Sequence, residues 1–281
     1  MIHILKPGLY TTVQDLGRLG YRHVGVPVSG AMDRFHAGLA NQLINNPKDA
    51  AVLEITLQGP KLLFERPTQI LLTGADLSPT LNQQTIKNNE VVSIAEGDVM
   101  AFGKRHYGAR TYLAVAGGLQ SPVVMHSRSY YPPLTTSAVV KETDSIPYSS
   151  TNPPREQSHA YLNVNQKHFD TPVLEVYKGP EYELLSEEEQ RLLTTREFSI
   201  GVNNRMAYQL VESFENQLAS QITSAVLPGT VQLTPSGTLI ILMADGQTTG
   251  GYPRVLQLSP SSVDVLAQKI KGDSVGFQLL E

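Results

Sequence analysis

Cysteine is absent from the 281 residues. That removes disulfides, thiolate zinc sites, iron–sulfur ligation and a cysteine nucleophile, and it fits a reducing compartment. Charge is also sparse: 17% of residues are charged, against roughly 25% in an ordinary soluble domain. With 22 Lys+Arg and 26 Asp+Glu the formal net charge is −4, so nothing in the composition points to nucleic acid or an anionic membrane as a partner. Long apolar runs are missing too. No stretch approaches the ~18 apolar residues of a membrane span, and the opening MIHILKPGLY has no basic flank leading into an apolar run. The expectation is a soluble, cytoplasmic protein. The seven histidines never fall at HxH or HExxH spacing, so no metal ligand set is read. GxSxG, GxGxxG and Walker patterns are likewise absent.

Glycine is missing in one place only. Sixty residues separate Gly118 from Gly179 without another glycine, and within them Ser127 to Ser158 is half Ser, Thr or Pro, 16 of 32 residues. This predicts a long irregular connection and a division into 1–125, 126–170 and 171–281. With 41% hydrophobic residues, each side can build a core. Short apolar or alternating runs at Gln69–Thr73, Val91–Ile94, Thr111–Ala116, Val173–Tyr177 and Thr238–Met243 read as strands. Helices are few. In Asp33–Ile44 the residues Phe35, Leu39 and Leu43 recur at i, i+4 and i+8 behind an Asp33 N-cap; Ser186 and Glu189 form a capping box before Glu187–Leu193; a third helix is expected at Ser262–Ile270. The fold class read is mainly β, as barrels or sandwiches.

Two internal echoes support two lobes. Leu53-Glu54-Ile55 precedes Gly59-Pro60, as Leu174-Glu175-Val176 precedes Gly179-Pro180. Gly20-Tyr21, Val24 and Asp33 match Gly251-Tyr252, Val255 and Asp264. Because the second unit opens one half and closes the other, the N-terminal segment is expected to pack with the C-terminal lobe, unless the echoes are chance.

Two loops carry candidate chemistry. In Gln14-Asp15-Leu16-Gly17-Arg18, a carboxylate and a guanidinium three residues apart either orient a carboxylate, phosphate or carbamate, or hold a tight turn. The Ala244–Pro253 stretch follows an apolar strand and places polar side chains beside Gly250-Gly251. It either presents backbone N–H groups to an anion or forms a bulge. Arg128, between Ser127 and Ser129, is a third candidate cation.

At these residues the sequence resembles the biotin-dependent carboxyltransferase-like family, which includes the C component of 5-oxoprolinase, the KipA proteins and the allophanate hydrolase subunit 2 domain. The matching blocks are Thr11–Asp15 with Gly17-Arg18, Gly25–Pro27 with Ser29–Asp33, Ala40-Asn41, Leu53–Ile55 with Gly59-Pro60, Tyr112–Gly118, Arg205-Met206, Pro228–Gln232 and Gln247–Pro253. They run collinearly along the chain. The resemblance implies two cyclophilin-like β-barrel lobes with a few short helices. It also implies an allophanate hydrolase subunit 1-like partner (the B component of 5-oxoprolinase, or a KipI-like protein), with a LamB/YcsF-type A component completing the bacterial enzyme. That enzyme opens 5-oxoproline to glutamate with ATP as co-substrate. On this basis Asp15, Arg18 and Asp33 are the candidate catalytic residues. Gln14, Ser29, Arg128, Arg205, Gln247, Thr248, Thr249, Gly250, Gly251 and Tyr252 are the candidate substrate contacts.

The chain departs from the family pattern at Gly246, Gln209 and Gly276, each standing where the family usually has arginine. These losses favour an alternative: a non-catalytic KipA-like partner that antagonises a KipI-like inhibitor of a histidine kinase. Carboxyl transfer from biotin is less favoured, because this chain carries no Met-Lys acceptor for the cofactor.

Overall fold

The computed structural model describes residues 1–149 and 167–280. They divide into two compact units. The first holds Met1–Arg18 and the chain from Ser29 to residue 149; the second holds Leu19–Val28 and everything from residue 167 onward. Residues 150–166 of the expected 126–170 connection lie outside the described residues.

The first unit contains β1 (Ile2–Lys6), β2 (Tyr10–Gln14), α1 (Arg34–Leu43), β3 (Val52–Thr56), β4 (Lys61–Phe64), β5 (Thr68–Asp76), β6 (Thr80–Leu81), β7 (Gln84–Thr85), β8 (Val92–Ile94), β9 (Val99–Ala101), β10 (Tyr107–Val115) and β11 (Ser145–Ile146). One sheet runs β11-β1-β4-β9-β6-β7 and the other β2-β3-β10-β5-β8. Both line a single core: Ile2, Ile4, Leu62, Phe64 and Met100 come from one, and Val13, Leu53, Ile55, Leu72 and Leu113 from the other.

Helix α1 covers the opposite face of the five-stranded sheet, which is why β5 and β10 are buried on both sides. Its buried stripe is Ala37, Ala40 and Ile44 against Val52, Leu71, Tyr112 and Ala114. Of the expected Phe35–Leu39–Leu43 stripe, Leu39 is buried and Leu43 packs against this cluster, whereas Phe35, in the first turn, is 51% exposed.

The described part of the expected connection packs into this unit. Irregular backbone there is satisfied by the edge of β2: Tyr130 N–H donates to Val13 O, and Val140 N–H to Thr11 O, both at 2.9 Å. Val140 and Ile146 join the core.

The second unit contains α2 (Lys167–Asp170), β12 (Val173–Lys178), α3 (Glu187–Thr195), β13 (Phe198–Asn203), β14 (Ala207–Ser213), β15 (Ser224–Ala225), β16 (Thr230–Leu233), β17 (Thr238–Leu242), β18 (Thr249–Gly250), β19 (Arg254–Leu258), α4 (Pro260–Ala267) and β20 (Ser274–Leu279). Seven strands close a barrel in the order β12-β19-β16-β17-β14-β13-β20, and β15 pairs with β18. Alternate residues fill the core, among them Leu174 and Val176, Phe198 and Ile200, and Tyr208 and Leu210.

The fold is therefore mainly β with a few short helices, as the sequence pattern indicates. The Ser186–Glu189 capping box is present at α3. Helix α4 starts earlier than expected because Ser259 caps it and Pro260 takes the first helical position. Among the described residues no helix is long and apolar enough to cross a membrane.

The Gly-Pro echo has a packing cause. A Cβ on Gly59 would lie 2.2 Å from the Phe102 side chain, and one on Gly179 would lie 2.1 Å from Arg254 O. At Gly179 the obstacle is backbone and cannot rotate away. Gly179→Ala is expected to destabilise by about 1–3 kcal/mol in a denaturant titration. Gly276→Ala, where the nearest atom would be Arg196 O at 3.9 Å, is expected to stay within about 0.5 kcal/mol.

Beside Gly179, Glu181 grips Arg254 through Oε1–Nη2 (2.8 Å) and Oε2–Nε (3.0 Å). The hydrogen bond from Arg254, aided by its charge and opposed by burial, lowers the Glu181 pKa below the ordinary 4.5. A depressed carboxylate stabilises the fold fully above its unfolded pKa and loses that contribution as pH falls through the folded value. The Tm gap between wild type and Glu181→Gln should accordingly be widest near neutrality and shrink on acidification below about pH 4.5. A gap independent of pH would show that the pair contributes nothing through its charge.

Candidate functional site

A cluster of buried polar side chains lies between α1 and the five-stranded sheet. Strand register lines up Thr12, Glu54, Tyr112 and Thr73 on β2, β3, β10 and β5 in one row across the sheet. All four are buried, although a sheet face under a helix is ordinarily apolar.

The chain entering α1 drops onto this row. Glu54 Oε2 accepts Met32 N–H at 2.7 Å and the Tyr112 hydroxyl at 2.9 Å, while Tyr112 Oη accepts Asp33 N–H at 2.8 Å. Asp33 caps the helix, accepting His36 N–H at 3.0 Å, and its second oxygen lies 2.6 Å from His36 Nδ1. Thr73 donates to His36 O at 2.7 Å, and Arg110 Nε stands 3.9 Å from Glu54 Oε1. Burial, reinforced by the Glu54 and Asp33 carboxylates, raises the Tyr112 pKa well above its ordinary value, so its hydroxyl remains a donor. Buried charge at this density is expensive unless every partner is in place, and a connected network is the arrangement that meets that demand.

A second knot flanks the layer at the end of β2. Asp15 Oδ1 accepts Gly17 N–H (2.7 Å), Ser127 Oγ (2.7 Å) and Ser129 Oγ (2.6 Å), and Oδ2 accepts Arg128 N–H (2.6 Å). Asp15 is thus saturated by donors of its own chain. Arg18 is buried and donates to Ser129 O, so Asp15 and Arg18 meet through Ser129. The Arg128 guanidinium is taken up by Ser121 O and Gln120 Oε1. Ser29 is buried beside this knot, since Ala31 N–H donates to Asp15 O at 2.9 Å. The first unit therefore gathers Gln14, Asp15, Arg18, Ser29, Asp33 and Arg128 around the end of β2 and the start of α1.

The second unit gathers the rest. Arg205 binds Asp245 through Nε–Oδ2 (2.7 Å) and Nη2–Oδ1 (3.1 Å). Gln247 Nε2 reaches Gln232 Oε1 at 3.5 Å, and Gln232 Nε2 reaches Tyr252 O at 3.3 Å. Backbone bonds pin the loop: Val226 N–H to Thr248 O, Gln221 N–H to Gly251 O, and the β15–β18 pairing at Thr249 and Gly250. Arg22, from the Leu19–Val28 segment, donates to the carbonyls of Val226 and Thr248. Gln247, Thr249 and Tyr252 are exposed at the surface of this loop.

Sequence reasoning nominated neither His36, Glu54, Arg110 and Tyr112 nor Gln232. The signal for them was Glu54 itself, a charge inside the buried apolar run Val52–Ile55.

The carboxyltransferase domain model, subdomain A and B, matches residues 24–279. The chain belongs to this family. The C component of 5-oxoprolinase from Escherichia coli (strain K12) is 31% identical over 284 residues, 99% of this chain and 90% of that one. Among solved structures, TTHA0988 superposes with TM-score 0.89 at 26% identity, covering 99% of this chain and 55% of that one. The urea carboxylase of Kluyveromyces lactis superposes with TM-score 0.88 at 27% identity, covering 100% of this chain and 27% of that one. The chain thus spans about half the length of the first structure and about a quarter of the second.

The three positions where the resemblance leads one to expect arginine fall in different settings. Gln209 is exposed on β14 and Gly276 has open space beside it. Gly246 is confined: a Cβ would lie 3.0 Å from Met243 O and 3.1 Å from Met206 O.

Proposed function

We propose that this chain is the C component of a 5-oxoprolinase-type complex that opens 5-oxoproline to glutamate with ATP hydrolysis. The observation that carries this reading is the end-to-end similarity to the Escherichia coli protein, over 99% of this chain and 90% of that one. An amide carbonyl resists water, so phosphorylating its oxygen supplies a leaving group, and the protein must then position the reactants and stabilise charge.

The division of labour follows from the donor inventory. Arg18, Arg22, Arg128, Arg205 and Arg254 all donate to groups of their own chain, so this set offers no ready clamp for a triphosphate. In this reading the partner proteins, an allophanate hydrolase subunit 1-like protein and a LamB/YcsF-type protein, handle ATP. This chain supplies the buried polar layer around Asp33, Glu54 and Tyr112, which fixes the loop entering α1.

The test is reconstitution with both partners, measuring glutamate and ADP. Release of both that requires 5-oxoproline and stops when this chain is omitted is the expected result; release unaffected by the omission would overturn the proposal.

The internally engaged arginines also favour the second reading, a non-catalytic partner of a KipI-like protein. That reading predicts a stable complex with the subunit 1-like protein and no substrate-dependent turnover.

A further inference from the structure

Arg22 is a half-buried cation without a counter-charge. Among the described residues no carboxylate pairs with its guanidinium, and burial lowers its pKa below the usual guanidinium value. Arg205 and Arg254, also withdrawn from solvent in the second unit, are each matched by two hydrogen bonds to a carboxylate. Arg22 Nη2 donates instead to two backbone carbonyls, Val226 O and, at 3.3 Å, Thr248 O. All three residues belong to the second unit, although these partners lie 204 and 226 positions further along the chain.

Both carbonyls flank the ribbon formed by β15 and β18, in which only Ser224↔Gly250 and Ala225↔Thr249 are paired. A two-stranded ribbon is marginal by itself, and Gly250-Gly251 adds backbone freedom that ordering must remove. Further ties supplement the ladder: Val226 N–H to Thr248 O (3.1 Å), Gln221 N–H to Gly251 O (2.8 Å) and Arg254 Nη1 to Ala225 O (2.9 Å). Arg22 adds a side-chain bridge between the two chain segments at the end where they leave the ladder. Hydrogen bonds from an ionised donor are roughly twice as strong as neutral ones, and here no acid competes for the guanidinium.

The effect on side-chain direction follows from peptide planarity. Thr248 O belongs to the plane that joins Thr248 to Thr249, so holding it orients that whole unit. Exposure alternates along this stretch: Gln247 and Thr249 are exposed, and Thr248 between them is half-buried.

We propose that Arg22 is a positioning residue for ligand binding, holding the Val226 and Thr248 carbonyls so that Gln247 and Thr249 present their side chains in one arrangement. That these side chains meet 5-oxoproline rests on the function proposed above; that Arg22 orders their loop rests on the hydrogen bonds alone.

Two measurements on the full chain test this: amide hydrogen exchange, and kcat and KM for 5-oxoproline with both partner proteins. Arg22→Met removes both donations. Arg22→Lys keeps the charge but not the planar fork, and it carries the comparison, with smaller shifts, should Arg22→Met fail to fold. Arg196→Met removes the same charge from a residue that bonds Ser213 O, away from the ribbon. In Arg22→Met the Val226 and Gln221 amides should exchange at least about 10-fold faster, the loss expected for one hydrogen bond, while the Ile200 and Leu258 amides, bonded to Asp273 O and Gly229 O in the barrel, keep wild-type rates. KM should rise at least about 5-fold with kcat within about 2-fold, the pattern of lost ground-state binding. Arg22→Lys should recover part of both changes, and Arg196→Met should cause neither. Equal acceleration at ribbon and barrel amides would make Arg22 a general stabiliser of the second unit and overturn the proposal, as would an unchanged KM in a complex that turns over. If the wild-type complex does not turn over 5-oxoproline, the functional reading falls and exchange alone decides: acceleration confined to the ribbon keeps Arg22 as the residue that orders this loop, and uniform or absent acceleration removes it.

Discussion

Glu54→Ala is expected to destabilise the protein by about 3–5 kcal/mol, the range for breaking a buried charged pair. At roughly 2–4 °C per kcal/mol for a chain of this size, Tm should fall by about 6–20 °C. The substitution strips acceptors from Met32 N–H and the Tyr112 hydroxyl and leaves the Arg110 guanidinium, 3.9 Å away, facing a void. Glu54→Gln keeps an acceptor oxygen for Met32 N–H and should recover part of the loss, because what remains is charge rather than shape. Thermal unfolding of the three proteins checks this; a Glu54→Ala Tm within about 2 °C of wild type, on the order of a single surface contact, would show that the layer is not a connected network.

Asp15→Ala should have the next largest effect, a destabilisation of about 3 kcal/mol, because several donors lose a charged acceptor together. The consequence is local as well as global. Ser127 Oγ, Ser129 Oγ and Arg128 N–H are held by this carboxylate, so its removal frees the loop from β2. Trypsin should then cut after Arg128 much faster than in wild type under native conditions. Asp15→Asn should behave similarly, since its amide NH2 would face donors. Unchanged tryptic half-life at Arg128 would mean that the loop is anchored by its other contacts, to Val13 and Ser121.

Much of this arrangement was legible locally, and the remainder was not for a common reason. The caps of α1 and α3 could be read because Asp33 and Ser186 act on residues three positions away. Leu39 and Leu43 follow the i, i+4 spacing into the core, but Phe35 does not, because the spacing fixes a stripe without saying that the small Ala37 and Ala40 make the closest approach to the sheet. The Asp15–Gly17–Arg18 loop was recognisable, but its two charged members turned out to be joined by Ser129, more than a hundred residues later. The row Thr12–Glu54–Tyr112–Thr73 exists only through strand register, and register is set by three pairings far apart in the chain. The two Leu-Glu-apolar echoes show the same limit: Glu54 is buried in the network and Glu175 is exposed on β12, although their local sequences are alike. Two-residue strands such as β6, β7 and β11 carry no period to read.

Asp33→Asn, assayed for kcat/KM with 5-oxoproline in the reconstituted complex, most directly asks whether the buried polar layer is functional. Asparagine caps a helix as well as aspartate does, so folding should be nearly preserved, while the charge beside His36 Nδ1 disappears. If the layer serves the reaction, kcat/KM should fall at least about 100-fold, equivalent to about 2.7 kcal/mol of transition-state stabilisation, with Tm within a few degrees of wild type. A variant that folds, assembles and turns over at the wild-type rate would contradict a functional role for the layer and leave it as a structural network alone.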